Sequence, residues 1–206
     1  MLPGWIVLCA AAIRLLSGAT YAWAVIQRRA RPNPITWFFW ALTPGIVFFA
    51  QLFEGVGWGL FITFALGFGP FVVFLLSLRH NWHRSHFTPS TITCGILAAL
   101  GVLLWLTTSN PTHAIIFSIL ADIFGSIPTI VKIWRDPTSE FLPAYAITMS
   151  SIALTMLTIN DWVFAQYAFP VYIFGINLVI FGTGFIAQRL RRHQPKPKAQ
   201  RLTAKR

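Results

Sequence analysis

The sequence predicts an all-α polytopic membrane protein whose seven transmembrane helices form two parallel three-helix repeats around one linker helix. Three observations lead there. Of 206 residues, 56% are hydrophobic and only 10% are charged, against roughly 25% charged in soluble domains. Seven apolar runs approach the ~20 residues needed to cross the ~30 Å hydrocarbon layer. The connections between those runs alternate between basic and cation-free. The apolar content excludes a disordered chain, and the scarcity of charge leaves too little polar surface for a water-soluble domain.

The first run, Trp5 to Gln27, has Arg14 inside its apolar core and no basic stretch before it, which argues for a retained helix rather than a signal peptide. The others are Ile35 to Phe53, Trp58 to Leu78, Thr91 to Ser109, His113 to Trp134, Phe141 to Ile159 and Trp162 to Gln188. The connections after the first, third and fifth hold Arg28, Arg29, Arg31, Arg79, Arg84 and Arg135, with Lys132 closing its helix. Those after the second, fourth and sixth hold Glu54, Asn110 and Asp161 and no cation. Short loops rich in Lys and Arg stay cytoplasmic, so the expected orientation puts the N-terminus outside and the C-terminus inside a cytoplasmic membrane. The expected units are residues 1–87, a linker helix over 88–112, a second repeat over 113–188, and a basic disordered tail over 189–206. The net charge of +11 sits at span ends and in that tail rather than on one folded face. This disfavours nucleic acid as a partner and favours anionic lipid at the tail, at roughly 1 kcal/mol per charge near the surface. Cys9 and Cys94 lie inside apolar runs and read as small buried residues.

The repeat is visible as self-similarity. The stretch from Tyr21 to Pro34 overlays Ser126 to Ser139 without gaps, matching Val25 with Ile130, Ile26 with Val131, Gln27 with Lys132 and Pro32 with Pro137, and then Thr43 with Thr148. One helix separates the two units, so both cross the membrane in the same sense. The segment Pro128-Thr-Ile-Val-Lys-Ile-Trp-Arg-Asp-Pro-Thr-Ser-Glu140 resembles the motif of the PQ-loop superfamily, which includes the SWEET-like sugar transporters, with Pro-Thr in place of Pro-Gln. The first repeat has Trp23 at the position of that proline. The resemblance implies the same three-one-three architecture, hinge roles for Pro128, Pro143 and Pro44, and a solute contact at Asn177 in the last helix.

An ionisable group inside a membrane is a functional candidate by default. Arg14 lies nine residues into the first span and Asp122 nine residues into the fifth. At 1.5 Å per residue both stand about 13 Å deep on equivalent helices. Two readings are open: a shared polar site for a solute or proton, and a structural ion pair. Thr148, Ser151, Thr155 and Thr158 share one face of the sixth span, either for close helix packing or as a polar wall for a hydroxyl-rich solute. Thr43 extends this set in the second span, and Trp40 is the aromatic best placed to cap a sugar ring. Trp5, Trp58, Trp162 and Tyr167 read as interfacial anchors. The imidazoles of His80, His83 and His86 do not converge on a regular helix, so no metal is expected. No paired carboxylates, catalytic triad or nucleotide-binding loop occurs, so neither an enzyme nor a cofactor is expected.

The function expected is therefore a facilitator or ion-coupled carrier of a small polar solute such as a sugar, by alternating access between the repeats. The alternative is a PQ-loop-type receptor or assembly factor that binds a partner without transport. A second copy of the chain is an optional partner.

Overall fold

The computed structural model describes residues 3–81, 89–108 and 110–193. Among them the chain forms seven helices and no strand: α1 (Val7–Ile26), α2 (Pro34–Phe53), α3 (Gly59–Asn81), α4 (Pro89–Thr108), α5 (Pro111–Arg135), α6 (Leu142–Met156) and α7 (Phe164–His193). A single 3₁₀ turn, Gly4–Ile6, leads into α1. Five helices are long and apolar enough to cross a membrane, namely α1, α2, α3, α5 and α7. In α4 the described apolar run is Ala99–Thr108. The molecule is an all-helical integral membrane protein.

Local chemistry sets the helix ends. Asn33 and Asn110 each precede a proline at the first turn, and each side-chain oxygen accepts a backbone N–H two residues on, from Ile35 at 3.0 Å and Thr112 at 2.9 Å. This pairing satisfies one orphan donor where proline removes another. Helices α1 and α2 end in the same hydrogen-bond pattern, with a left-handed residue just past the cap. In α2 that residue is Gly55 at φ 68°, and Val56 N–H reaches Gln51 C=O. In α1 it is Arg28 at φ 59°, and Arg29 N–H reaches Ala24 C=O. Lys132 and Arg135 close α5, where cations complement the helix dipole.

Helix α3 packs against both α1 and α2, and α7 packs against both α5 and α6. The two sets meet through α1 against α6 and α2 against α5, while α4 lies along α5. The α1–α3 crossing is a backbone contact: a Cβ on Gly18 would stand 3.0 Å from the Cα of Gly69. Large apolar side chains such as Phe49, Phe61, Phe64, Phe68 and Phe71 face outward, as a lipid-facing surface requires. Trp5, Trp58 and Trp162 are exposed, whereas Tyr167 packs against the core. One core cluster joins Val47, Ile62, Ile152 and Phe169, and a second joins Tyr21, Trp37, Val73, Ile133 and Tyr145 nearer the end that carries the basic connections.

Three expectations need correction. Cys9 is exposed on the outer face of α1 rather than buried, because the inner face is taken by Val7, Ala10, Ala11 and Arg14. The side chain of Cys94 lies outside the described residues. Helix α6 ends at Met156, since the chain turns at Leu157 and Thr158 instead of continuing to Ile159. Helix α7 continues to His193, through the first residues assigned to the tail, with Arg189 stacked on Phe185 one turn below. The remaining tail, 194–206, and the loop with His83 and His86 lie outside the described residues.

Candidate functional site

The two helix sets enclose a cavity of about 60 Å³. Its lining includes Arg14 from α1, Trp40 and Pro44 from α2, Asp122 from α5, Tyr145 and Thr148 from α6, and Asn177 from α7. A buried water needs some 10–15 Å³ by this measure, so the space holds a few waters and not a sugar ring.

Asp122 is buried, and both of its oxygens are engaged. Thr43 Oγ1 donates to Oδ1 at 2.8 Å and the Tyr172 hydroxyl donates to Oδ2 at 2.6 Å. Thr43 thus acts through Asp122 and is not itself in the cavity wall. Arg14 lines the same cavity, but no ion pair with Asp122 forms within 4.0 Å among the described residues. The structural-bridge alternative is therefore not realised. Its physical reason is local: the Arg14 guanidinium lies over the α1–α3 crossing, with Nη1 3.3 Å from where a Gly69 Cβ would stand. Meanwhile Asp122 is drawn toward hydroxyls on α2 and α7.

The hydroxyl face of α6 divides. Thr148 lines the cavity, and its hydroxyl is 3.0 Å from that of Ser17, which also donates to Ala144 C=O at 2.6 Å. These contacts join α1 to α6. Ser151 and Thr155 instead donate to carbonyls one turn back in their own helix, at 2.7 Å and 3.0 Å, and neither lines the central cavity. Thr155 and Thr158 border a second cavity of about 170 Å³, at the end away from the basic connections, together with Gln51, Asp161 and Gln166. The apolar cluster around Ile62, Ile152 and Phe169 lies next to both. Trp40 presents its ring to the central cavity while its indole N–H donates to Ser126 Oγ at 3.2 Å. Asn177 donates to Ile173 C=O at 2.8 Å, which leaves its carbonyl oxygen for another donor. Pro44 and Pro128 lie inside helices, whereas Pro143 falls in the first turn of α6, where its missing N–H has no helical partner to lose.

Sequence reasoning missed the groups that close the cavity toward the basic end. Tyr21 and Tyr145 line it with their rings, and both hydroxyls donate to Glu140 Oε2, from Tyr145 at 3.0 Å. Lys132 Nζ donates to Glu140 Oε1 and, at 2.7 Å, to Arg31 C=O. The Glu140 side chain is fully buried, and Lys132 is 27% exposed. The signal available was an acid one residue before an apolar run in a chain with only five acids. Around this knot, Arg31 N–H donates to Ser139 C=O at 3.0 Å, and Arg31 Nη2 pairs with Asp136 at 2.5 Å. The Thr138 hydroxyl, donating to Oδ1 at 2.7 Å, together with the Thr138 backbone N–H and the nearby Arg31, holds the Asp136 carboxyl below its ordinary value. No family model, no curated protein and no solved structure matches this chain.

Proposed function

We propose that this protein carries a small polar solute across the membrane by alternating access between two three-helix halves, α1–α3 and α5–α7, with α4 as the linker. The packing supports that division. In each half the third helix lies against the first two, and the halves meet reciprocally, first helix against second in both contacts. Such reciprocity is what an axis along the membrane normal produces. On this reading all seven helices span the bilayer. The alternating charge of the connections sets the N-terminus outside, and the likeness of Pro128–Glu140 to a PQ-loop reflects common architecture.

The single observation that carries the proposal is the central cavity, which is lined by Arg14 from one half and Asp122 from the other. At about 60 Å³ it admits a solute only when the halves part. Parting toward the basic end requires release of the Tyr21, Tyr145 and Lys132 contacts on Glu140. Parting toward the other end requires separation of the apolar cluster between the two cavities. Prolines 44 and 128, inside helices on either side of the interface, are where such bending costs least. Counterflow in proteoliposomes across a panel of sugars, amino acids and organic acids tests the proposal. Accumulation of at least one solute, lost in Asp122→Ala, is the expected result; no counterflow of any class from a folded protein overturns it.

A further inference from the structure

We propose that Arg14 is a docking site for a carboxylate, so that the solute is a small organic anion rather than a neutral sugar. This inference rests on the carrier reading for its transport consequence but not for binding itself.

Arg14 is 7% exposed and lines the central cavity, and its buried Nε has no hydrogen-bond partner among the described residues. Guanidinium stays protonated in proteins, and a buried cation without a counter-charge is strongly disfavoured. The two buried acidic groups among the described residues are spoken for. Asp122 is held by Thr43 and Tyr172, and Glu140 by Tyr21, Tyr145 and Lys132. The Tyr145 hydroxyl, from a ring on the same cavity, spends its proton on Glu140. The backbone has made room for the guanidinium: Gly18 and Gly69 lie beneath it, and a Cβ on either would stand 3.7 Å or 3.3 Å from Nη1. A cradle, a full positive charge and an unpartnered planar donor fit a two-oxygen anion, which a guanidinium engages through paired N–H bonds. The carbonyl oxygen of Asn177 and the ring of Trp40, both lining the same cavity, suit a hydroxyl and a short carbon chain beyond the carboxylate. Lactate has that composition and serves as the probe.

Equilibrium binding of radiolabelled lactate to the full chain in nanodiscs is the experiment, with lactamide and chloride as competitors. Saturable lactate binding is expected, with lactamide failing to compete and chloride competing at least tenfold more weakly. Arg14→Gln is expected to weaken binding at least tenfold, and Arg14→Lys, which keeps the charge but loses the fork, about threefold to tenfold. Lactamide competing as well as lactate, or no lactate binding to folded wild type, overturns the site; that comparison needs no variant and holds even if Arg14→Gln does not fold. Lactate binding indifferent to Arg14→Lys and Arg14→Gln also overturns it. The carrier reading fails separately: Arg14-dependent binding without counterflow sinks transport and keeps the anion site. Counterflow of a neutral solute at the same rate in Arg14→Gln keeps transport and sinks the anion.

Discussion

Replacing either member of the Glu140–Lys132 pair tests whether this knot fastens the two halves. The two changes are not equivalent. Lys132→Met leaves a fully buried carboxylate with two tyrosine donors but no cation, and breaking a buried pair in this way costs about 3–5 kcal/mol. Glu140→Gln keeps the shape of the side chain and removes the charge. The two tyrosine bonds become neutral ones, worth about half as much, and Lys132, already 27% exposed, can turn its ammonium to water. The cost is then about 2–3 kcal/mol. At about 2–4 °C per kcal/mol for a chain of this size, thermal midpoints should fall about 6–20 °C for Lys132→Met and about 4–12 °C for Glu140→Gln. The double variant should sit above Lys132→Met, because it removes the uncompensated charge. Intrinsic tryptophan fluorescence during heating of the detergent-solubilised protein measures all three. A drop for Lys132→Met smaller than that for Glu140→Gln, or a double variant with purely additive losses, refutes the argument from burial.

Three further outcomes are expected. Gly18→Ala places a Cβ 3.0 Å from the Gly69 Cα, whereas Gly175→Ala meets nothing within 4 Å; the first should cost about 1–3 kcal/mol and the second should be neutral or gain up to about 1 kcal/mol from helix propensity, as read by thermal melts. Arg28→Gly relieves a left-handed arginine at φ 59° and should stabilise by about 0.5–1 kcal/mol after the added freedom of the unfolded chain is subtracted; a loss of stability in the same melts would show that the arginine side chain matters more than its backbone. The Asp136 carboxyl is held below its ordinary 3.8 in the folded state, so its contribution is present at neutral pH and disappears as pH falls below that value through the depressed one. Because Asp136 and Arg31 are 36% and 64% exposed, the effect is small and salt-sensitive; melts of Asp136→Asn should have a flatter acid limb than wild type.

The helices were legible because their signal is length and hydropathy, which lipid makes nearly sufficient. The ends differed by one to several residues where capping decided them: Asn33-Pro34 and Asn110-Pro111 are start signals that an apolar count passes over. The shared depth of Arg14 and Asp122 was legible, and both line one cavity. Their partners were not, because pairing depends on the rotation of each helix. Thr43 and Tyr172 reach Asp122 only after α2 and α7 have packed around α5, and glycines on α1 and α3 set where the guanidinium comes to rest. Glu140 lies in a turn whose prolines are the stronger signal, and its two tyrosines, Tyr21 and Tyr145, come from α1 and α6, a juxtaposition that linear spacing does not encode.

Helix α6 has 15 residues, about 22 Å at 1.5 Å per residue, and is some 8 Å short of a typical hydrocarbon layer. On the proposed seven-span reading, hydrophobic mismatch at α6 would make the bilayer dimple or water step inward, and the hollow bordered by Thr155 and Asp161 would receive that water. The electrical distance from bulk solvent to the buried charges would thereby be shortened on that side. On that same reading a membrane voltage would drop mainly across the layer between the dimple and the tyrosines, and the loaded and empty forms of the proposed carrier would respond unequally to potential.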